Sequence, residues 1–161
     1  MRSAFLRYLL EDLAECQGAN VRRVIEKSAC VSADVNAAYD PLYPDVMDKR
    51  NCAYANHGIV ISKYTGSGGK YNTSDASADF MGYIRAILDD AGVYWQTGEL
   101  GKVDHGGGGT VAQYVADLGI DVVDIGVPIL SMHAPFEVAA KMDIYMGYQA
   151  FAAFYAAKDE V

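Results

Sequence analysis

At 161 residues, with 52% hydrophobic and 21% charged side chains, the chain has the composition of one globular domain able to bury about two thirds of its unfolded surface, which excludes a disordered tail. Lys and Arg number 13 against 21 Asp and Glu, for a formal net charge of -8; beyond Arg22, Arg23 and Lys27 there is no basic stripe, and the apolar residues form no membrane-spanning run, so neither nucleic acid nor a membrane is an expected partner. Cys16, Cys30 and Cys52 are odd in number and lack CxxC spacing, which disfavours a disulfide framework or a thiolate zinc site.

In chain order, "MRSAFLRYLLEDLAEC" is amphipathic but interrupted by Glu11 and Asp12, unlike a signal peptide, and a cytoplasmic location is expected. Residues 3 to 15 and roughly 20 to 28 read as helices. "SACVSAD" reads as a short apolar strand that leaves Asp34 at its end. The Pro-, Asn- and Asp-rich stretch from Asn36 to Gly58 predicts an irregular loop, and "GIVISKYT" a second strand.

From Ser74 to Ala91, Phe80, Ile84, Ile87 and Leu88 recur at helical spacing behind a Ser/Asp start. "GVYWQT" follows as a strand, "TVAQYVADLG" as a helix closed by Gly119, and "IDVVDIG" as another strand. A final helix is expected from Pro135, a favoured first helical residue, with Glu137 near its positive end. Alternating strands and helices predict an α/β three-layer sandwich with a mainly parallel sheet flanked by helices.

Two glycine-rich stretches invite a nucleotide reading that their spacing rejects. "YTGSGGKY" has Tyr64 and Tyr71 where a phosphate-binding loop needs its first glycine and its hydroxyl, and "HGGGGTVA" lacks a lysine. What survives is a junction ahead of a helix where bare backbone permits positive φ and close approach, as a tight turn or as amides facing a ligand.

"SADVNAA" (32–38), "KYTGSGGKY" (63–71), "WQTGELGKVDHGGGGT" (95–110) and "DIGVPILSMHAPFEV" (124–138) together resemble the M18 metalloaminopeptidases, the aspartyl aminopeptidase family. The resemblance implies a zinc-peptidase (phosphorylase/hydrolase-like) catalytic domain, with residues 1–161 as its C-terminal part, incomplete on the N-terminal side. It further implies hydrolysis of the N-terminal residue of peptides at two zinc ions, with the "SAD" aspartate, Asp34, and the "SMH" histidine, His133, each completing one ion. A carboxylate oxygen and an imidazole nitrogen are ordinary zinc ligands. Read alone, Asp34 is a solvated strand-end acid and His133 a lone histidine.

By the same resemblance Lys63 and Tyr71 line the substrate pocket, and Asp104 orients a neighbouring group; alone they read as a surface lysine, a half-buried tyrosine and a turn-capping acid. His57 and His105 are not expected to ligate metal. The family's histidine-x-aspartate pair and tandem glutamates, which supply the bridge, the remaining ligands and the general base, are not reproduced ahead of Asp34. The chain by itself is therefore expected to hold no catalytic residue and to be inactive, with the N-terminal part of the domain as a partner alongside peptide substrate and further copies in a homo-oligomer.

Ala37 and Asp40 stand where better-known relatives carry histidines, which weakens an acidic-residue preference. Ala134 replaces the common serine ahead of Pro135, the loss of a cap worth about 1 kcal/mol. The competing reading is a non-catalytic assembly or regulatory module that keeps the fold without the chemistry.

Overall fold

In the computed structural model, which describes residues 3–68, 70–102 and 104–157, the β-branched runs become strands. They are β1 (Ala29–Ala33), β2 (Asn36–Ala37), β3 (Ile59–Ser62), β4 (Trp95–Thr97), β5 (Asp121–Gly126), β6 (Pro128–Leu130) and β7 (Val138–Ala139). The larger sheet has the order β1-β5-β3-β4, with β1–β5 and β3–β4 parallel and β3 antiparallel to β5, so it is mixed. The smaller sheet, β2-β6-β7, pairs β2 parallel to β6 and closes β6 on β7 as an antiparallel hairpin.

The helices are α1 (Phe5–Cys16), α2 (Val21–Glu26), α3 (Ala78–Asp90), α4 (Ala112–Ala116) and α5 (Lys141–Ala156). α3 starts at Ser77, whose hydroxyl accepts the Phe80 amide at 3.1 Å and satisfies one of the orphan donors of a helix start. Its buried stripe, Phe80, Ile84 and Leu88, meets Ile59 and Ile61 of β3, Val123 and Ile125 of β5, and Met146 and Ala150 of α5 in one core. Residues alternate across a strand, so Val122 faces the other way and packs under Ala112 and Val115 of α4. Helices thus cover both faces of the sheet. Gly119 ends the α4 segment with φ 84° and its amide on the Ala116 carbonyl at 2.8 Å.

The final helix departs from the sequence expectation. It begins at Lys141, not at Pro135, and its N-cap is Ala140. The intervening residues are claimed by competing contacts. The Ala134 amide donates to Ser131 O at 2.9 Å, the Glu137 carboxylate accepts the His133 amide at 2.6 Å, and Val138 and Ala139 pair with Leu130 and Ile129. Ala134 is therefore no helix cap. The stretch expected to be an irregular loop also contributes β2 and a single 3-10 turn at Pro44–Val46. No described helix is long and apolar enough to cross a membrane, and the cysteines are free, with Cys16 exposed and Cys52 buried.

Candidate functional site

β1 delivers Asp34 to the carboxyl end of the larger sheet, the edge at which open α/β sheets place their sites. Its amide reaches Ile125 O at 3.4 Å, its Oδ1 accepts the Val35 amide at 2.8 Å, and the residue is exposed. Gly126 on the neighbouring strand makes this possible, because a Cβ there would lie 1.4 Å from the Asp34 carbonyl oxygen. His133 lies in the exposed turn after β6 with φ 67°, anchored by its amide to Glu137. Both residues thus follow strands, with the parallel β2/β6 ribbon joining their surroundings. Among the described residues no group of three or more His, Cys, Asp or Glu is gathered closely enough to hold a metal ion.

Lys63 follows β3 and is engaged: its ammonium pairs with one oxygen of Asp75, while Lys70 reaches the other at 2.7 Å. Hydrogen bonds from the two lysines, Lys63 first, hold the Asp75 carboxyl below its ordinary range. Lys70 also lies 4.4 Å from the centre of the Tyr64 ring, a cation–π arrangement. Tyr71 is not half-buried; it is 70% exposed, and its carbonyl accepts the Ser67 amide at 3.2 Å.

Asp104, exposed and at φ 65°, borders a hollow of about 190 Å³ with Tyr64, Thr65, Lys70, Glu99 and Lys102. Burial pushes the Glu99 carboxyl in its wall from the ordinary 4.5 to about 7, against the pull of Lys70. The glycine-rich segment forms part of the same hollow and lies directly on the preceding loop. A Cβ at Gly107 would fall 1.8 Å from Gly66 O, and Gly68 donates to Gly106 O at 3.1 Å. Gly107 thus serves close backbone packing of the two loops and Gly106 the tight turn on Gly101 and Lys102, while Gly108 has open space around it. His105 is held there by its amide on Lys102 O, and His57 turns its Nδ1 to Ala55 O at 3.0 Å beside the Tyr54 ring.

Sequence reading missed a buried polar row on the sheet face opposite the main apolar core. Asp124 of β5 is 5% exposed and lies in register with Ser32 of β1 and Ser62 of β3. Its Oδ2 accepts the hydroxyls of Thr110 at 3.0 Å and Thr65 at 3.4 Å, so one carboxylate ties both loops around the hollow to the sheet. Burial raises the Asp124 carboxyl above its ordinary range; the hydroxyls of Ser32, Thr110 and Thr65 oppose the rise and Asp34 adds to it. The signal was present in "DVVDIG", an acid inside an apolar strand, in phase with Val122 and out of phase with Val123 and Ile125.

The family model described as aminopeptidase I zinc metalloprotease (M18) matches residues 1–155. The chain belongs to the M18 family. A probable M18 family aminopeptidase 1 from Clostridium acetobutylicum is 47% identical over 94% of the chain. The crystal structure of aminopeptidase I from the same organism superimposes with a TM-score of 0.88 at 45% identity over 96% of the chain, and that of the M18 aminopeptidase from Thermotoga maritima with 0.85 at 42% over 91%. The chain spans only 34% of the Clostridium relative and 34% of each of these solved chains. The family's description names zinc, and the α/β fold of the chain agrees with that of the two solved relatives.

Proposed function

We propose that this chain supplies the C-terminal part of a dizinc M18 aminopeptidase catalytic domain that removes N-terminal residues from peptides. The observation that carries the reading is the placement of Asp34: an exposed carboxylate at a strand's carboxyl end, its backbone pinned between Ile125 and the bare Cα of Gly126. The donor types fit the metal, since a carboxylate oxygen and an imidazole nitrogen suit zinc, and each would be one ligand to a different ion. Zinc, when bound, polarises a peptide carbonyl and lowers the pKa of a bound water toward neutrality.

The chain's own residues hold and orient. The Val35 amide fixes one Asp34 oxygen and leaves the carboxylate directed by the strand end. By the family resemblance Lys63 and Tyr71 are assigned to the substrate wall and Asp104 to orienting a neighbouring group; the Glu99 hollow beside them is lined by Tyr64, Lys70, Lys102 and Asp104 and not by Lys63 or Tyr71. Closed protein sites take three or four ligands, so one side chain per ion and no general base leave the isolated chain inactive. Exposed apolar residues on α1 (Phe5, Tyr8, Leu13) and α5 (Tyr145, Tyr148, Tyr155) support assembly, with the rest of the domain and then into a homo-oligomer. The described lining of the hollow sets Lys70 and Lys102 against Glu99 and Asp104, so its charge balance does not by itself select an acidic N-terminal residue.

The test is to fuse the chain in place of its equivalent in the Clostridium relative and to measure zinc by mass spectrometry together with peptide hydrolysis. Two zinc ions per fusion are expected, one lost on Asp34→Ala and one on His133→Ala, with none lost on His57→Ala or His105→Ala. Zinc-free, inactive fusions would leave the non-catalytic module as the reading, and hydrolysis by the isolated chain would refute the division of ligands.

A further inference from the structure

The hollow is walled by two loops whose backbones touch. Gly68 donates to Gly106 O at 3.1 Å, and a Cβ on Gly107 would fall 1.8 Å from Gly66 O. Such contacts fix how far apart the loops lie, not how they sit on the sheet. That second placement comes from the buried polar row beneath them. Ser62 donates to Gly98 O at 2.8 Å, where the glycine-rich segment leaves β4, and Asp124 Oδ2 accepts the Thr110 hydroxyl at 3.0 Å, where the segment runs into α4. The same oxygen accepts Thr65, on the other loop, at 3.4 Å. The Thr65 amide in turn donates to Thr73 Oγ1 at 2.8 Å and closes that loop on itself.

A proton count shows why both loops depend on this one carboxylate. Each threonine hydroxyl has a single proton to give. Thr110 Oγ1 gives its own to Asp124 and accepts the Ala112 amide at 3.2 Å, so at its 3.3 Å contact with Thr65 it can only accept. Thr65 therefore directs its proton between Asp124 and Thr110. An ionised carboxylate only accepts, and it orients both hydroxyls at once. Asparagine with its oxygen turned to the threonines would do the same, and alanine would free both. Thr65 and Asp124 are 4% and 5% exposed, so bulk water does not readily replace the lost bonds. Thr65 stands between Tyr64 and Gly66 in the lining of the hollow, and any shift of its hydroxyl passes directly into that wall.

We infer that Asp124 is a positioning residue for peptide binding, which sets the placement of the Thr65 loop against the glycine-rich loop through its bonds to Thr65 and Thr110. The inference rests on the proposed reading in that Lys63 and Tyr71, carried by the Thr65 loop, belong to the substrate wall. Asp124 acts through the two threonines, so its loss falls on substrate binding and not on the chemical step.

The test reads kinetics in the fusion with the Clostridium relative and hydrogen exchange in the full chain alone. In the fusion, Asp124→Ala should raise KM about tenfold with kcat within about twofold and zinc content unchanged, the pattern of binding lost equally from ground and transition states. Asp124→Asn, which keeps an acceptor, should return KM to within about threefold of the parent. In the chain alone, Asp124→Ala should speed amide exchange about tenfold in peptides covering 64–74 and 104–112, and leave α3, on the opposite face of the sheet, unchanged. If Asp124→Ala does not fold, Thr110→Ala should raise KM and Thr110→Ser, which keeps the hydroxyl, should not. KM at the parent value in a folded Asp124→Ala fusion, or a fall in kcat or zinc with KM unchanged, overturns the proposal. A parent fusion without hydrolysis fails the dizinc reading instead; the exchange measurement then decides alone, and unchanged exchange in both loops overturns the placement by Asp124.

Discussion

Removing the carboxylate of Asp143 tests how the sheet is held in place at the edge that carries Asp34. Asp143 lies in the first turn of α5 with no exposed surface, and it accepts the Gly58 amide at 2.7 Å and the Asn56 amide at 2.6 Å. These bonds fasten the turn before β3 to the helix that packs on it, and a carboxylate in the first turn also suits the helix dipole. Asp143→Ala strands two amides. The Gly58 amide is buried and loses about 1–3 kcal/mol, while the Asn56 amide, on an exposed residue, loses less, so about 2–4 kcal/mol in all is expected. Against a total of roughly 5–15 kcal/mol this is a large fraction. With a urea m-value of about 2 kcal/mol/M, the unfolding midpoint should fall by about 1–2 M at unchanged m. Asp143→Asn keeps one acceptor and should lose about half as much. An Asp143→Ala midpoint within about 0.3 M of wild type, or an Asn variant as stable as the parent, would refute the assignment of these two bonds as the clamp.

Gly126→Ala should force the Asp34 carbonyl away from its 1.4 Å conflict and, in the fusion, lower retained zinc by more than the same change at Gly108, which has open space around it; equal retention would separate Asp34 from metal. Glu99 has a folded pKa raised from 4.5 to about 7, so its contribution favours folding below pH 4.5 and is lost as pH rises to about 7; melting temperature should decline over that window, and Glu99→Gln should flatten the decline. Asp75 has a lowered pKa, so its ion pairs stabilise above its ordinary titration range and are lost as acid protonates it; because the groups are about half exposed, Asp75→Asn at pH 7 should cost under about 1 kcal/mol by urea titration. Trp95 donates its indole N–H to Asp89 at 2.7 Å under the Arg85 guanidinium at 5.0 Å, so Asp89→Ala should shift tryptophan fluorescence without changing zinc content in the fusion.

Strands β3 and β5 were legible because their β-branched residues bury on both faces, β1 and β4 from apolar and aromatic runs that are mostly half-buried, and α3 because its spacing and Ser77 cap agree. The start of α5 was not, because Pro135 is a local signal and the contacts that override it, Glu137 to His133 and the β6/β7 hairpin, exist only once the chain has folded back. Asp34 at a strand end was visible in "SAD". Asp124 was masked because a single acid in an apolar strand shows its role only when Thr65 and Thr110, far away in sequence, close over it. The antiparallel pairing of β3 with β5 was equally out of reach, since alternating helices and strands predict parallel neighbours.

The pairing of β1 with β5 does not stop at Asp34 and Gly126; the same two segments resume side by side as β2 and β6 in the other sheet. Two chain segments leaving one sheet and entering the next in parallel behave as a strap with a crease, and Asp34 sits on the crease while His133 hangs from the far end. A tilt of the small sheet would then swing His133 and twist Asp34 in a single motion. Whatever docks against the β6/β7 hairpin would hold a handle on the spacing between the two residues, and cross-linking that hairpin should tune both at once.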